Sequence, residues 1–114
     1  MITVYGIPNC DTVRKARAWL ADRGLEYRFH DFKKAGVPDV QLDDWLNRFG
    51  WETVINRRGM SWRRLTADER EAMDLTRARE AALANPSLIK RPVVERKDKT
   101  LIGFDTDDWQ EALA

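Results

Sequence analysis

The sequence predicts a single α/β domain in which two β-containing halves flank a helical segment. A β-branched and aromatic run at residues 2–6 is followed by residues with helical periodicity and then by residues with a period of two. After a long helical part come two short strand-like runs and a last helix. The predicted order is therefore β-α-β, a helical insert at about residues 39–90, and β-β-α. A length of 114 residues suits one domain.

The first half begins with "ITVYG", a run typical of a buried strand. Val13, Ala16 and Leu20 then recur at helical spacing, and Gly24 follows where a left-handed residue ends a helix. Residues 25–32 alternate apolar and polar side chains, which predicts a second strand with His30 on its polar, solvent-facing side. Strand, helix and strand joined by short loops favour a crossover between parallel strands.

The helical insert starts after the chain break "GVPD". Thr66 and Glu69 have the spacing of a capping box, and we expect them to start one long, charged helix. We place Trp19, Trp45 and Trp109 in the core, because each lies on an apolar helical stripe.

In the second half, "VVER" and "TLIGF" flank the polar turn "KDK", which predicts a β-hairpin. Asp105 is placed to cap the final helix. A βαβ half followed by a ββα half is the plan of the thioredoxin fold.

Composition excludes several classes of protein. Hydrophobic residues make up 43% and charged residues 34% of the chain, and the formal net charge is +1. This near-neutral balance disfavours nucleic acid as a partner, and no segment suits a membrane or an export signal, so we expect a cytoplasmic protein. One cysteine and one histidine cannot assemble an ordinary zinc site, and we predict neither a metal nor a tightly bound cofactor.

The lone cysteine, Cys10, stands between the first strand and the first helix. Backbone N–H groups and the positive end of the helix dipole favour a thiolate there, and Arg14 and Lys15 would add positive charge if they fold back. The alternative is that Cys10 is a small buried apolar residue. Val13 leaves no resolving cysteine three residues later, so a redox cycle needs an outside thiol.

Two further segments carry candidate site residues. In "LIKRPVV" we predict a cis Arg91–Pro92 bond facing Cys10, with Arg91 offering a planar cationic fork to a carboxylate or oxyanion. In "NRRGMSWRR" a turn at Gly59 would aim Arg57 or Arg58 toward Cys10, whereas Arg63 and Arg64 are expected to be solvated.

Three motifs together resemble the arsenate reductase-like (ArsC) family, in its YffB and Spx/MgsR-type branch. They are Y-G-I-x-N-C-D-T-x-x-K-A-R-x-W-L, W-E-T-V-I-N-R-R-G-x-x-W-R-R-L and I-K-R-P-V-V. The resemblance covers nearly the whole chain. It implies a thioredoxin-like fold with a helical insert, a nucleophile at Cys10 and an arginine before a cis-proline at Arg91.

The resemblance also implies an oxidoreductase: a thiol reductase that uses glutathione as co-substrate on a small thiol or oxyanion substrate, with glutaredoxin as a further candidate partner. The thiolate would attack an oxidised sulfur or a bound oxyanion, and glutathione would resolve the adduct. We expect Cys10, Arg91 and Arg58 to be catalytic. We expect substrate contacts from the residues that flank them: Asn9, Asp11, Thr12, Arg14 and Pro92.

Two alternatives stay open. Arsenate reductases of this family carry a histidine where this chain has Gly6, an insert arginine nearest Asn56, and a further arginine near residues 102–104. Spx-type regulators, which bind RNA polymerase, usually have a second cysteine at the position of Val13. A glutaredoxin-linked arsenate reductase and a non-catalytic, Spx-like binding protein are therefore the rivals of a YffB-like thiol reductase.

Overall fold

The computed structural model describes all residues from Met1 to Ala114. Four strands and their helices follow in the order β1 (Ile2–Gly6), α1 (Asp11–Asp22), β2 (Tyr27–Asp31), α2 (Phe32–Ala35), α3 (Asp39–Phe49), α4 (Trp51–Val54), α5 (Met60–Arg63), α6 (Ala67–Glu71), α7 (Leu75–Ala84), a 3-10 turn (Pro86–Leu88), β3 (Val93–Arg96), β4 (Lys99–Ile102) and α8 (Thr106–Leu113). Two compact units result. The first unit comprises Met1–Ala35 and Arg91–Ala114, and the second comprises Gly36–Lys90. No helix has the length and apolar character needed to cross a membrane.

The sheet of the first unit has the strand order β2-β1-β3-β4. Strand β1 is parallel to β2 and antiparallel to β3, and β3 is antiparallel to β4. The predicted parallel crossover and the C-terminal hairpin are both confirmed. With α1 and α8 added, this is the predicted thioredoxin-like fold.

One face of this sheet forms the core of the first unit with α1 and α8. Trp19 from α1 and Trp109 from α8 meet edge to face at 5.8 Å between ring centroids, and both are buried. Asp105 accepts hydrogen bonds from the backbone N–H groups of Asp107 and Asp108, the second and third residues of α8, which confirms the predicted cap. The buried members of the cluster are Ile2, Val4, Ala16, Trp19, Leu20, Val94, Trp109 and Leu113.

The other face of the sheet carries His30, and here the expectation of a solvent-facing side chain is wrong. His30 lies opposite Tyr5 in the parallel pairing of β1 and β2, so the two rings share a face at 5.2 Å between centroids. Phe32 contacts the same ring at 5.9 Å. The predicted strand is also shorter than expected, because Phe32 already begins α2. His30 is therefore half-buried among aromatic rings.

The second unit is helical. Trp45 of α3 is fully buried there, as predicted. The capping box of Thr66 and Glu69 is confirmed, with the side chain of each accepting from the other's backbone N–H. The single long helix expected after it is wrong, because Asp74 caps a new helix by accepting from the N–H of Arg77 at 2.8 Å. The segment therefore divides into α6 and α7.

Candidate active site

Cys10 is the N-cap residue of α1. Its backbone is extended, and its carbonyl accepts the first helical bond from the N–H of Arg14 at 2.9 Å. Val13 and Ala16 are fully buried and fix α1 against the sheet, so the start of the helix has a defined place. The thiol therefore sits beside backbone N–H groups that have no partner within the helix.

The turn from β1 to this cysteine depends on Gly6. A Cβ atom built on Gly6 would lie 2.9 Å from Cγ2 of Val13, which is closer than side chains tolerate. Sequence reasoning missed this contact, although a glycine that ends a strand just before a helix is a signal of close approach. Gly6 and Val13 together set how closely the start of α1 lies against β1.

The pKa of the Cys10 thiol lies below its ordinary value. Burial of the sulfur opposes ionisation, but it is outweighed by the backbone N–H of Val13, the hydrogen bond and charge of the Arg91 guanidinium, and the N–H of Thr12. The Cys10 side chain makes no regular capping hydrogen bond. The backbone N–H groups of Val13 and Thr12 act instead by stabilising the negative charge of the thiolate. Arg91 is the one side chain among the causes that lower the pKa.

Arg91 and Pro92 come directly before β3. Their peptide bond is cis, as predicted. Pro92 is buried, and its carbonyl accepts a hydrogen bond from the N–H of Gly103 at 2.8 Å. This bond ties the segment to the residue after β4 and helps to hold Arg91 beside Cys10.

Arg14 is not among the groups that lower the pKa of the Cys10 thiol. Its guanidinium pairs with the carboxylate of Asp11 at 2.7 Å, and both side chains are exposed to solvent. An i,i+3 pair on the helix surface satisfies Arg14 locally, so it does not fold back over the helix start. Lys15 is also exposed and is absent from the causes of the shifted thiol pKa.

Two further predicted contact residues are close neighbours of Cys10 in the chain. Asn9 and Thr12 are exposed neighbours of Cys10, and Thr12 contributes its backbone N–H. The structure thus brings together Cys10, Arg91 and the first turn of α1. Substrate contacts from Asn9, Asp11, Thr12, Arg14 and Pro92 stay predictions.

The arginines of the second unit have partners or positions of their own. Arg57 Nε donates to the carbonyl of Glu52 at 3.3 Å, and its guanidinium lies 5.7 Å from the centre of the Trp51 ring. Arg58 is exposed in the turn that closes between Asn56 and Gly59. The action of Arg58 on Cys10 stays a prediction.

Residues 5–112 match the model of the ArsC family. This chain belongs to the ArsC family. A Spx protein of Streptococcus agalactiae, described as a global transcriptional regulator, is 31% identical over 99% of this chain and 83% of its own length. The match places this ArsC-family chain in the branch that holds the YffB and Spx proteins.

Two solved structures extend the comparison. A YffB protein is 43% identical, covers all of both chains and has a TM-score of 0.95. An arsenate reductase (ArsC) related protein from Brucella melitensis is 46% identical, covers 97% of this chain and 92% of its own, and has a TM-score of 0.79. Family membership and these neighbours support thiol-based reductase chemistry in general.

Proposed function

We propose that this ArsC-family protein is a glutathione-dependent thiol reductase with Cys10 as its single nucleophile. The observation that carries the proposal is the N-cap position of Cys10 together with the Arg91 guanidinium on its sulfur. A thiolate is the nucleophile in thiol–disulfide exchange, and both features favour it over the thiol. Family membership adds support for the class of chemistry.

The substrate in this proposal is a disulfide between glutathione and another thiol. The Cys10 thiolate attacks the glutathione sulfur, the substrate S–S bond breaks, and the departing thiolate takes a proton from water. Cys10 then carries glutathione in a mixed disulfide. A second glutathione thiolate attacks that sulfur of glutathione, releases oxidised glutathione and restores the Cys10 thiolate. The substrate disulfide is thereby reduced while two glutathione moieties become one disulfide, so atoms and electrons balance.

Arg91 serves this cycle as an anion clamp. Its guanidinium is always charged and presents several donors in one plane, which suits a carboxylate of glutathione or a departing thiolate. The first turn of α1 would stabilise the sulfur in every step at which it is negative. Arg58 is proposed as a second clamp. Glutathione belongs to reducing compartments, so the proposal includes a cytoplasmic location.

The experiment that tests the proposal measures reduction of a glutathionylated peptide by glutathione, coupled to glutathione reductase and NADPH oxidation. The wild type should turn over, Cys10→Ser should be inactive, and Arg91→Ala should lose at least about tenfold in kcat/KM. Arg64→Gln is the matched control, because Arg64 is an exposed arginine of the other unit and should retain wild-type activity. Full activity of Cys10→Ser would overturn the proposal.

A second candidate is a binding protein that docks on RNA polymerase. Its support is the Spx relative, a global transcriptional regulator that aligns over 99% of this chain. This function predicts co-purification of RNA polymerase with the tagged protein and the same yield from Cys10→Ser. Arsenate reduction is tested in the same coupled assay by adding arsenate and glutaredoxin, which also tests glutaredoxin as a partner.

A further inference from the structure

The second unit contains a pocket of about 550 Å³. This is within the size range of small-molecule sites, roughly 300–1,000 Å³. Its lining is mainly polar, and three of its side chains are cations: Arg57, Arg58 and Lys90. The reductase proposal shares one residue with this pocket, Arg58, but the inference below is argued from the pocket alone and does not rest on the chemistry of Cys10.

The pocket is built on a short antiparallel pairing within the second unit. Ile55 and Ile89 form an isolated β-bridge and are both buried. The N–H of Asn56 donates to the carbonyl of Leu88 at 2.7 Å, and the N–H of Lys90 donates to the carbonyl of Val54 at 2.8 Å. These bonds place Lys90 beside the start of the Asn56–Gly59 turn that carries the two arginines.

The cations differ in how far they are already held in place. Arg57 has its Nε occupied by the Glu52 carbonyl and its guanidinium near the Trp51 ring. This geometry leaves its two terminal nitrogens for a ligand, as a planar fork with little conformational freedom left to lose. Arg58 and Lys90 are exposed, and none of the three cations forms an ion pair with a carboxylate.

The charge of the lining selects the ligand. Three cations with the single carboxylate of Glu52 leave two positive charges at the pocket. A phosphate monoester carries about −1.5 to −2 charges near neutral pH and three acceptor oxygens, which matches this excess. Arginine forks and a lysine ammonium bind phosphate oxygens directly, and Glu52 can accept a hydrogen bond from a hydroxyl on the same ligand.

We propose that this pocket of the second unit binds a small phosphate monoester bearing hydroxyl groups, with Arg57, Arg58 and Lys90 on the phosphate and Glu52 on a hydroxyl. Ile55 supplies the apolar part of the lining. A neutral polyol of the same shape lacks the charge that three cations recognise, so it should bind far more weakly.

The test is a titration of the full-length, reduced protein with glucose 6-phosphate, followed by backbone amide chemical shifts in heteronuclear NMR. Unphosphorylated glucose is the matched ligand control. We expect saturating shifts at residues 52–58 and 90 with a dissociation constant below about 1 mM at low ionic strength, and none with glucose. Arg58→Gln and Lys90→Gln should each weaken binding about tenfold or more, while Arg64→Gln, outside the pocket, should bind as the wild type does.

Three results would overturn the proposal. They are the absence of saturation, shifts confined to residues 10–13 and 91, and equal weakening by Arg64→Gln, which would indicate nonspecific attraction to a basic surface. The amide spectrum of each variant also reports whether it is folded. Because the reductase assay is read separately, loss of that activity leaves this test unaffected.

Discussion

Replacing Gly6 by alanine should destabilise the protein through a single contact. The new Cβ would lie 2.9 Å from Cγ2 of Val13. The Val13 side chain has no solvent exposure and, because it is β-branched, it cannot easily rotate away within a helix. The backbone of Gly6 is not in the left-handed region, so alanine has no conformational penalty there. The cost is therefore one of packing.

The magnitude follows from two opposing effects. Overpacking by one methyl group in a tight core costs about 1–3 kcal/mol. Replacing glycine by alanine also lowers the conformational entropy of the unfolded chain, which stabilises the folded protein by about 0.4–1 kcal/mol. We therefore expect Gly6→Ala to lower the free energy of unfolding by about 1–2 kcal/mol.

The assay is urea unfolding followed by tryptophan fluorescence, completed as a double-mutant cycle with Val13→Ala. Val13→Ala alone should cost about 2–3 kcal/mol, through lost burial and a cavity. In the double variant the methyl group of residue 6 enters that cavity. The stability loss of the double variant should therefore be about 1–2 kcal/mol smaller than the sum of the losses of the two single variants. Additive losses, or a Gly6→Ala protein as stable as the wild type, would refute the packing argument.

Three further predictions concern the thiol, a buried phenol and a helix cap. Because the folded-state pKa of Cys10 is lowered, its ionisation stabilises the fold fully above the unfolded thiol pKa of about 8.5 and ceases to do so as the pH falls through the folded value. The stability of the wild type relative to Cys10→Ala should accordingly rise with pH across that window in urea titrations, and a pH-independent difference would contradict the lowered pKa. Burial and the 2.7 Å hydrogen bond to Glu95 raise the pKa of Tyr5, so alkaline spectrophotometric titration should find a phenol that ionises only above the pH at which free tyrosine does, and Tyr5→Phe should remove this late-titrating group. Asp105→Ala should lower stability by about 1 kcal/mol, since two N–H groups of α8 lose their acceptor, whereas Asp105→Asn should retain most of it.

Local signals in the sequence predicted most of the fold. The strand ending at Gly6, the helix over Val13, Ala16 and Leu20, and the last helix capped by Asp105 each combine an apolar period with a boundary residue. Such signals depend on neighbours in the chain, so they can be interpreted without tertiary structure. The capping box at Thr66 was identified for the same reason.

The errors occurred where a competing contact decided the outcome. The predicted long helix is divided at Asp74, which is the N-cap of a second helix. The helical spacing of the apolar residues in the sequence does not show this division. The alternation of apolar and polar residues puts His30 on the polar side of its strand, which predicts exposure to solvent. The parallel register of β1 and β2 instead places His30 beside Tyr5. Arg14 would add charge at the thiolate only if it folded back, and it instead pairs with Asp11, three residues away, at 2.7 Å.

The candidate site was predictable in its residues more than in its electrostatics. Cys10 at a strand-to-helix joint and Arg91 before a proline both follow from position in the chain. The pKa of the thiol cannot be predicted in this way. It depends on the balance between burial of the sulfur and its three stabilising partners, whose atoms meet only in the folded unit. The contact of Gly6 with Val13 is of the same kind.

The rate of Cys10 alkylation by iodoacetamide as a function of pH, in the wild type and in Arg91→Ala, tests the central claim most directly. The same protein unfolded in urea supplies the ordinary thiol as an internal reference. An activated thiolate held by Arg91 predicts a midpoint below that reference in the folded wild type and a shift upward when the guanidinium is removed. A midpoint equal to the unfolded reference, an unreactive thiol, or a midpoint that Arg91→Ala leaves unchanged would contradict it.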